Sequence, residues 1–110
     1  MPWQGTNGIT FNPFSVRKSV PPRPGVYVLY RPNERSIYVG ASADLRARML
    51  DHLTRADDRI VRHEPTLCAY EIVPEHPRRL ARETELILEL NPVCNAERSA
   101  FSLAPRGDAA

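Results

Sequence analysis

The stretch Gly25-Val26-Tyr27-Val28-Leu29-Tyr30, followed after Arg31–Ser36 by Ile37-Tyr38-Val39-Gly40, decides how this chain is read. Both runs are rich in β-branched and aromatic residues, and the segment between them supplies Pro32, Asn33 and Ser36 as turn chemistry. Such a pair is expected to form an antiparallel hairpin. Within it stand two near-mirror tripeptides, Gly25-Val26-Tyr27 and Tyr38-Val39-Gly40, their tyrosines eleven residues apart in a chain with four tyrosines. A phenol from each strand is thereby offered to whatever packs on the hairpin.

Working outward, Ser42 or Asp44 can cap a helix that runs to about Arg55. Asp57 to Pro65 reads as a polar loop and Thr66 to Val73 as a third strand. Pro77 sits in the first turn of a second helix that continues to Leu90, where Asn91-Pro92 stops it. The order is β-β-α-β-α, an α/β (α+β) fold with helices against a small sheet. Residues 1–24 are rich in Pro, Gly and Asn, carry Trp3, Phe11 and Phe14, and end in Pro21-Pro22-Arg23-Pro24. They are read as an irregular arm pinned by its aromatics. The expected division is therefore arm 1–24, domain 25–96, and a flexible tail 97–110.

At 110 residues the chain has room for one modest core. No apolar run reaches the length of a membrane span, and the first residues lack the basic and apolar regions of a signal peptide. Cys68 and Cys94 have no metal-ligand spacing, so two buried thiols in a reducing cytoplasm are expected. The net charge of +2 is unevenly spread. Residues 1–62 hold ten Lys/Arg against five Asp/Glu, a net +5, and residues 63–110 hold five against eight, a net −3. Fourteen of the fifteen cations are Arg, the better bidentate phosphate ligand, although a compositional bias toward Arg, Ala and Pro would look the same.

Helical periodicity places the remaining candidates. At about 100° per residue, Leu45, Met49, Leu53 and Ala56 form the core stripe of the first helix. Arg48, His52 and Arg55 share one flank, either as a solvated edge or as groups that reach the hairpin. In the second helix Leu80, Ile87 and Leu90 share an arc and Glu83 falls inside it, whereas Glu85 and Glu89 lie on the polar side beside Arg82. A carboxylate on an apolar face needs an arginine partner or a divalent cation. The residues leave both open.

With these positions assigned, residues 22–96 resemble the GIY-YIG nuclease domain family, whose small stand-alone bacterial type the chain is most similar to. The two tripeptides stand where that family has its own, with Val in place of each central Ile. Arg48 lies ten residues beyond Tyr38 and His52 four beyond that, as do the family's arginine and its following His or Tyr. Glu83 precedes Thr84-Glu85-Leu86-Ile87 much as the family's glutamate precedes its Leu-Ile pair, and Asn95 closes a Pro-x-x-Asn ending. Ala41 departs from the pattern, since many relatives carry Lys there.

The resemblance implies a three-stranded antiparallel sheet flanked by helices and a metal-dependent endonuclease that hydrolyses phosphodiester bonds. Its substrate would be a nucleic acid, DNA before RNA, read with little sequence specificity and including single-stranded or structured DNA. It implies a site of Tyr27, Tyr38, Arg48, His52, Glu83 and Asn95. Glu83 would bind a single Mg²⁺ or Mn²⁺, and Arg48 the phosphoryl oxygens. One tyrosine, or His52, would take the proton of the attacking water, and Asn95 would orient the site. The alternatives are a non-catalytic nucleic-acid-binding module that kept the fold, or a nuclease subunit whose aromatic arm meets a protein partner.

Overall fold

The computed structural model describes residues 2–55 and 59–95. Its central strand, β2 (Gly25–Tyr30), is hydrogen-bonded on both edges and covered on both faces, which explains why its sequence is apolar without alternation. It pairs antiparallel with β3 (Tyr38–Ser42) on one edge and with β4 (Leu67–Ile72) on the other. The hairpin register sets Tyr27 opposite Gly40 and Leu29 opposite Tyr38. Directly opposed residues share a face, so Tyr27, Gly40, Leu29 and Tyr38 all project to the same side.

The sheet has four strands in the order β1-β4-β2-β3, one more than the sequence led us to expect. The extra strand, β1 (Thr6–Thr10), comes from the segment read as an irregular arm and pairs antiparallel with β4. Its register shifts between Thr6 and Ile9, where Gly8 takes a φ of +75°. Only Ile9 of β1 is buried, so the strand has no alternating pattern to betray it, and β4 supplies the hydrogen bonds that make it a strand. The same segment also holds a helix, α1 (Pro13–Ser19), which the sequence reading missed. Its signal was present: Asn12 caps it by accepting from Ser15 N at 2.8 Å, with Pro13 in the first turn.

Two clusters form the core, one on each side of the sheet. The first gathers Tyr27, Leu29, Tyr38 and Cys68 under α1 and α2 (Leu45–Thr54), with Val16, Val20, Leu45 and Met49 fully enclosed. Asp44 caps α2 by accepting from Ala47 N at 3.0 Å. Leu45 and Met49 are the stripe expected of that helix and Leu53 is half-buried, while Ala56 lies outside the described residues. Cys68 and Cys94 are buried thiols outside any disulfide, and burial pushes the Cys68 thiol up to about 12. The second cluster, on the opposite face, packs Val26, Val28, Val39, Ala69 and Val73 against Leu86 of α3 (His76–Leu90). Asn91, in the left-handed region, ends α3 by donating its N–H to the Ile87 carbonyl.

The azimuth of α3 corrects the helical arithmetic. Its buried residues are Arg79, Arg82 and Leu86; Glu83 is half-buried on their flank, and Leu80 is 46% exposed. The helix turns this way because Glu71 of β4 points into the same layer. Arg82 Nε meets Glu71 Oε1 at 2.7 Å, with both side chains almost wholly enclosed. Glu85, the Pro2 carbonyl and the Gln4 N–H complete the network, with Gln4 N donating to Glu71 Oε2 at 2.7 Å. Glu71 shares a face of its strand with Leu67 and Ala69, and a carboxylate at a core-facing strand position was the available clue.

Removing one member of this pair strands the other. Glu71→Ala is expected to cost about 3–5 kcal/mol, read as a lower urea midpoint. Glu85→Ala, at the exposed end of the network, is expected to cost less than about 1 kcal/mol in the same titration.

Candidate active site

The hairpin and α2 bring three rings together. The centroids of Tyr27, Tyr38 and His52 lie 5.7–6.0 Å from one another, and the Tyr27 hydroxyl is 2.8 Å from His52 Nε2. Tyr27 is fully enclosed, Tyr38 and His52 nearly so. His52 is therefore no solvated edge: it is one of the largest fully buried side chains of the domain. Space for this cluster depends on Gly40. A Cβ there would stand 2.5 Å from both the Tyr27 Cζ and its hydroxyl oxygen, so the phenol lies across a position that only glycine leaves open. The glycine of the first tripeptide has a different reason. A Cβ on Gly25 would meet the Glu71 carbonyl oxygen at 2.2 Å.

Arg48, one turn before His52 on α2, is the solvent-facing member, with 41% of its side chain exposed. Its guanidinium hydrogen-bonds the Tyr27 phenol and lies within charge range of Tyr38. The Tyr27 hydroxyl and His52 Nε2 share one hydrogen bond, whose donor is set by the imidazole tautomer. Asp51, which the sequence reading did not single out, steadies this arginine at 3.1 Å and also pairs with Arg55 at 3.2 Å. Its spacing of three from Arg48 and four from Arg55 was the sequence signal.

The Tyr27 phenol is held well above its ordinary value. Burial is the main cause, Tyr38 adds to it, and the negative charge of Glu83 pushes the same way; Arg48 opposes them through its charge and hydrogen bond. Burial and Tyr38 prevail, so Tyr27 keeps its proton. Its charge also brings Glu83, on α3 beyond the other face of the hairpin, electrostatically into the same site as Tyr27. Among the described residues no group of three or more His, Cys, Asp or Glu is placed to hold a metal ion.

Asn95 reaches the site through the backbone. Its Oδ1 accepts from Val39 N at 2.8 Å and its Nδ2 donates to Val39 O at 3.0 Å. The side chain stands in for a neighbouring strand at the outer edge of β3, locking the residue between Tyr38 and Gly40. Ala41 projects to the other face and packs against the second cluster. Each of the six residues singled out in the sequence thus bears on the hairpin: Tyr27, Tyr38, His52 and Arg48 as one cluster, Asn95 through Val39, and Glu83 through its field.

Residues 23–98 match the family described as the GIY-YIG catalytic domain. The chain belongs to the GIY-YIG family. It therefore carries a GIY-YIG nuclease domain, and residues 2–22 precede the matched region. No curated protein matches it significantly. Among solved structures it is similar to the GIY-YIG N-terminal endonuclease domain of UvrC from Thermotoga maritima bound to magnesium as its catalytic divalent cation. That likeness has 24% identity and a TM-score of 0.62, covering 71% of this chain and 92% of that one. An Asn→Ala variant of the same domain matches at 24% identity and a TM-score of 0.62, and a Tyr→Phe variant at 23% and 0.61. Each covers 71% of this chain and 91% of the other, and each is bound to its catalytic divalent cation. At these identities the likeness establishes the fold.

The raised Tyr27 phenol fixes the sign of a pH effect. The unfolded chain ionises its tyrosines near pH 10 while the folded site holds the Tyr27 proton. Stability is therefore expected to be lost as pH climbs through and beyond 10, with a shallower loss in Tyr27→Phe when urea midpoints are compared across that range. Gly40→Ala is expected to displace the phenol and cost about 1–3 kcal/mol, with altered near-ultraviolet circular dichroism reporting the disturbed ring cluster.

Proposed function

We propose that this chain is a metal-dependent endonuclease that hydrolyses phosphodiester bonds in DNA with little intrinsic sequence specificity. The observation that carries this reading is the buried Tyr27–Tyr38–His52 cluster opening to solvent at Arg48, within charge range of Glu83, inside a GIY-YIG catalytic domain. An exposed guanidinium backed by phenols, one of which feels the Glu83 carboxylate, suits a phosphodiester and one cation.

The donor set fits a divalent ion of the kind bound by the UvrC domains. Glu83 is half-buried and its charge acts on Tyr27. One carboxylate with water and phosphate oxygens in the remaining positions is the coordination that Mg²⁺ accepts, and Mn²⁺ shares the preference for oxygen. Bound there, the ion supplies charge neutralisation at the scissile phosphate and its leaving oxygen.

The protein's own groups divide the other tasks. Arg48 binds the non-bridging oxygens as charge develops on them. Tyr38 orients the attacking water and receives its proton. Tyr27, held protonated, fixes Arg48 on one side and His52 on the other. Asn95 is a positioning residue, since both of its amide groups are spent on the Val39 backbone. Contacts made by Arg48 run through phosphates and would weaken steeply with salt. The two buried thiols, outside any disulfide, suit a reducing compartment, so we place the protein in the cytoplasm, where DNA is its partner in preference to RNA. Among the described residues no helix is long and apolar enough to cross a membrane.

The test is cleavage of single-stranded, duplex and branched DNA in Mg²⁺, Mn²⁺ or EDTA. Cleavage should require the metal and disappear in Glu83→Gln. Arg48→Ala should lower kcat by about 10²–10³. Tyr38→Phe should lower it by about 10²–10⁴ while leaving the fold intact. Binding without cleavage on every substrate would sink the proposal, as would activity that survives Glu83→Gln.

A further inference from the structure

Residues 2–22 lie outside the family match, yet they contribute a strand and a helix to the domain. Their charge is one-sided. Residues 1–33 contain four cations, Arg17, Lys18, Arg23 and Arg31, and no carboxylate. On α1 the apolar Val16, with the capping Val20, faces the core and is fully buried. Phe14, Arg17 and Lys18, at i, i+3 and i+4, fall on the opposite face and are exposed. Phe14 is 72% exposed, and the Lys18 ammonium stands 5.9 Å from its ring centroid.

This face is held firmly against the helix that carries the site. α1 packs on α2; Arg46 Nε donates to the Val20 carbonyl at 2.8 Å, and Leu45 N donates to the Arg23 carbonyl at 2.9 Å. Arg46 and Arg48 lie on opposite flanks of the α2 core stripe. The Phe14 face and the Arg48 side of the site are therefore separated by about the width of one helix, roughly 10–12 Å.

A bare phenyl on a short surface helix serves no packing purpose, and a local pairing with Lys18 does not account for a segment with cations and no carboxylate over residues 1–33. Single-stranded DNA answers both features. Its unpaired bases offer π-faces that stack on an aromatic ring, and its phosphates seek the flanking cations. Duplex DNA keeps its bases inside and presents mainly phosphate to such a surface. We infer that Phe14, Arg17 and Lys18 form a docking face for single-stranded DNA, with a base stacked on Phe14 and the strand crossing α2 to bring a phosphodiester to Arg48. This rests on the nuclease reading above and names the form of substrate that the site receives.

The test measures binding in EDTA, where cleavage does not intervene, by fluorescence anisotropy of labelled single-stranded DNA, duplex DNA and single-stranded RNA. Phe14→Ala should weaken single-stranded DNA binding about tenfold or more, Phe14→Trp should retain it, and duplex binding should change less than about twofold. The double variant Arg17→Ala/Lys18→Ala should lower the salt dependence of single-strand binding by about 1.4 in log–log slope. With metal present, Phe14→Ala should raise KM and leave kcat unchanged. Unaltered melting of these exposed-site variants excludes unfolding as the cause. Single-strand binding indifferent to Phe14→Ala overturns the docking face, as does an equal loss on duplex or tighter binding of RNA than of DNA. If the protein cleaves DNA while Phe14→Ala binds normally, the docking face fails and the nuclease stands. Loss of single-strand binding in Phe14→Ala, in a protein that cleaves nothing, leaves the docking face standing and removes the nuclease.

Discussion

The Tyr27 phenol lying across Gly40 is the contact on which the rest of the site depends. It requires a residue without a Cβ directly across the hairpin, and Gly40 is that residue. It sets the Tyr27 hydroxyl 2.8 Å from His52 Nε2, which ties the hairpin to α2 through the interior. It also gives Arg48 an acceptor, so the one exposed member of the cluster is anchored from beneath. Burial makes this arrangement stiff as well as close. A phenol taken out of water keeps its proton, and its hydrogen bond to a buried imidazole holds the two rings together.

A second buried polar contact governs the opposite face. The Arg82–Glu71 pair sets the rotation of α3 about its own axis, and Glu83 is the next residue along. Turning α3 to bury that pair places Glu83 on the flank of the helix, where its field reaches Tyr27. The residues before the family match take part here too: Gln4 donates to Glu71, the Pro2 carbonyl accepts from Arg82, and the Trp3 ring lies 6.0 Å from the Arg82 guanidinium. The N-terminal segment is thus built into the domain on both faces, through the contacts of residues 2–4 with Arg82 and Glu71 on one side and through α1 on the other.

Legibility followed the physics of each element. The hairpin, α2, β4 and α3 announced themselves because each has a periodic apolar pattern closed by a cap, turn or proline, as at Asp44 and Asn91-Pro92. β1 did not, because an edge strand with one buried residue takes its identity from the partner that hydrogen-bonds it. α1 went unread although Asn12-Pro13 marked its start, since a seven-residue helix shows too few turns for a period to emerge. In the site, Arg48 and His52 could be placed on one flank of α2, but whether that flank met water or the hairpin was a matter of docking.

The sequence by itself determined the order of the main elements, the pair of tyrosine-bearing strands, and the family to which their spacing belongs, because these depend on local propensity and period. Tertiary structure alone decided the fourth strand, the burial of His52 and the azimuth of α3. Those three features depend on which groups from distant parts of the chain must satisfy one another away from water. For Glu83 the distinction is sharp. Its place on the helix is a property of spacing, whereas the direction it faces is set by an ion pair between its neighbour Arg82 and Glu71, eleven residues before that arginine on another element.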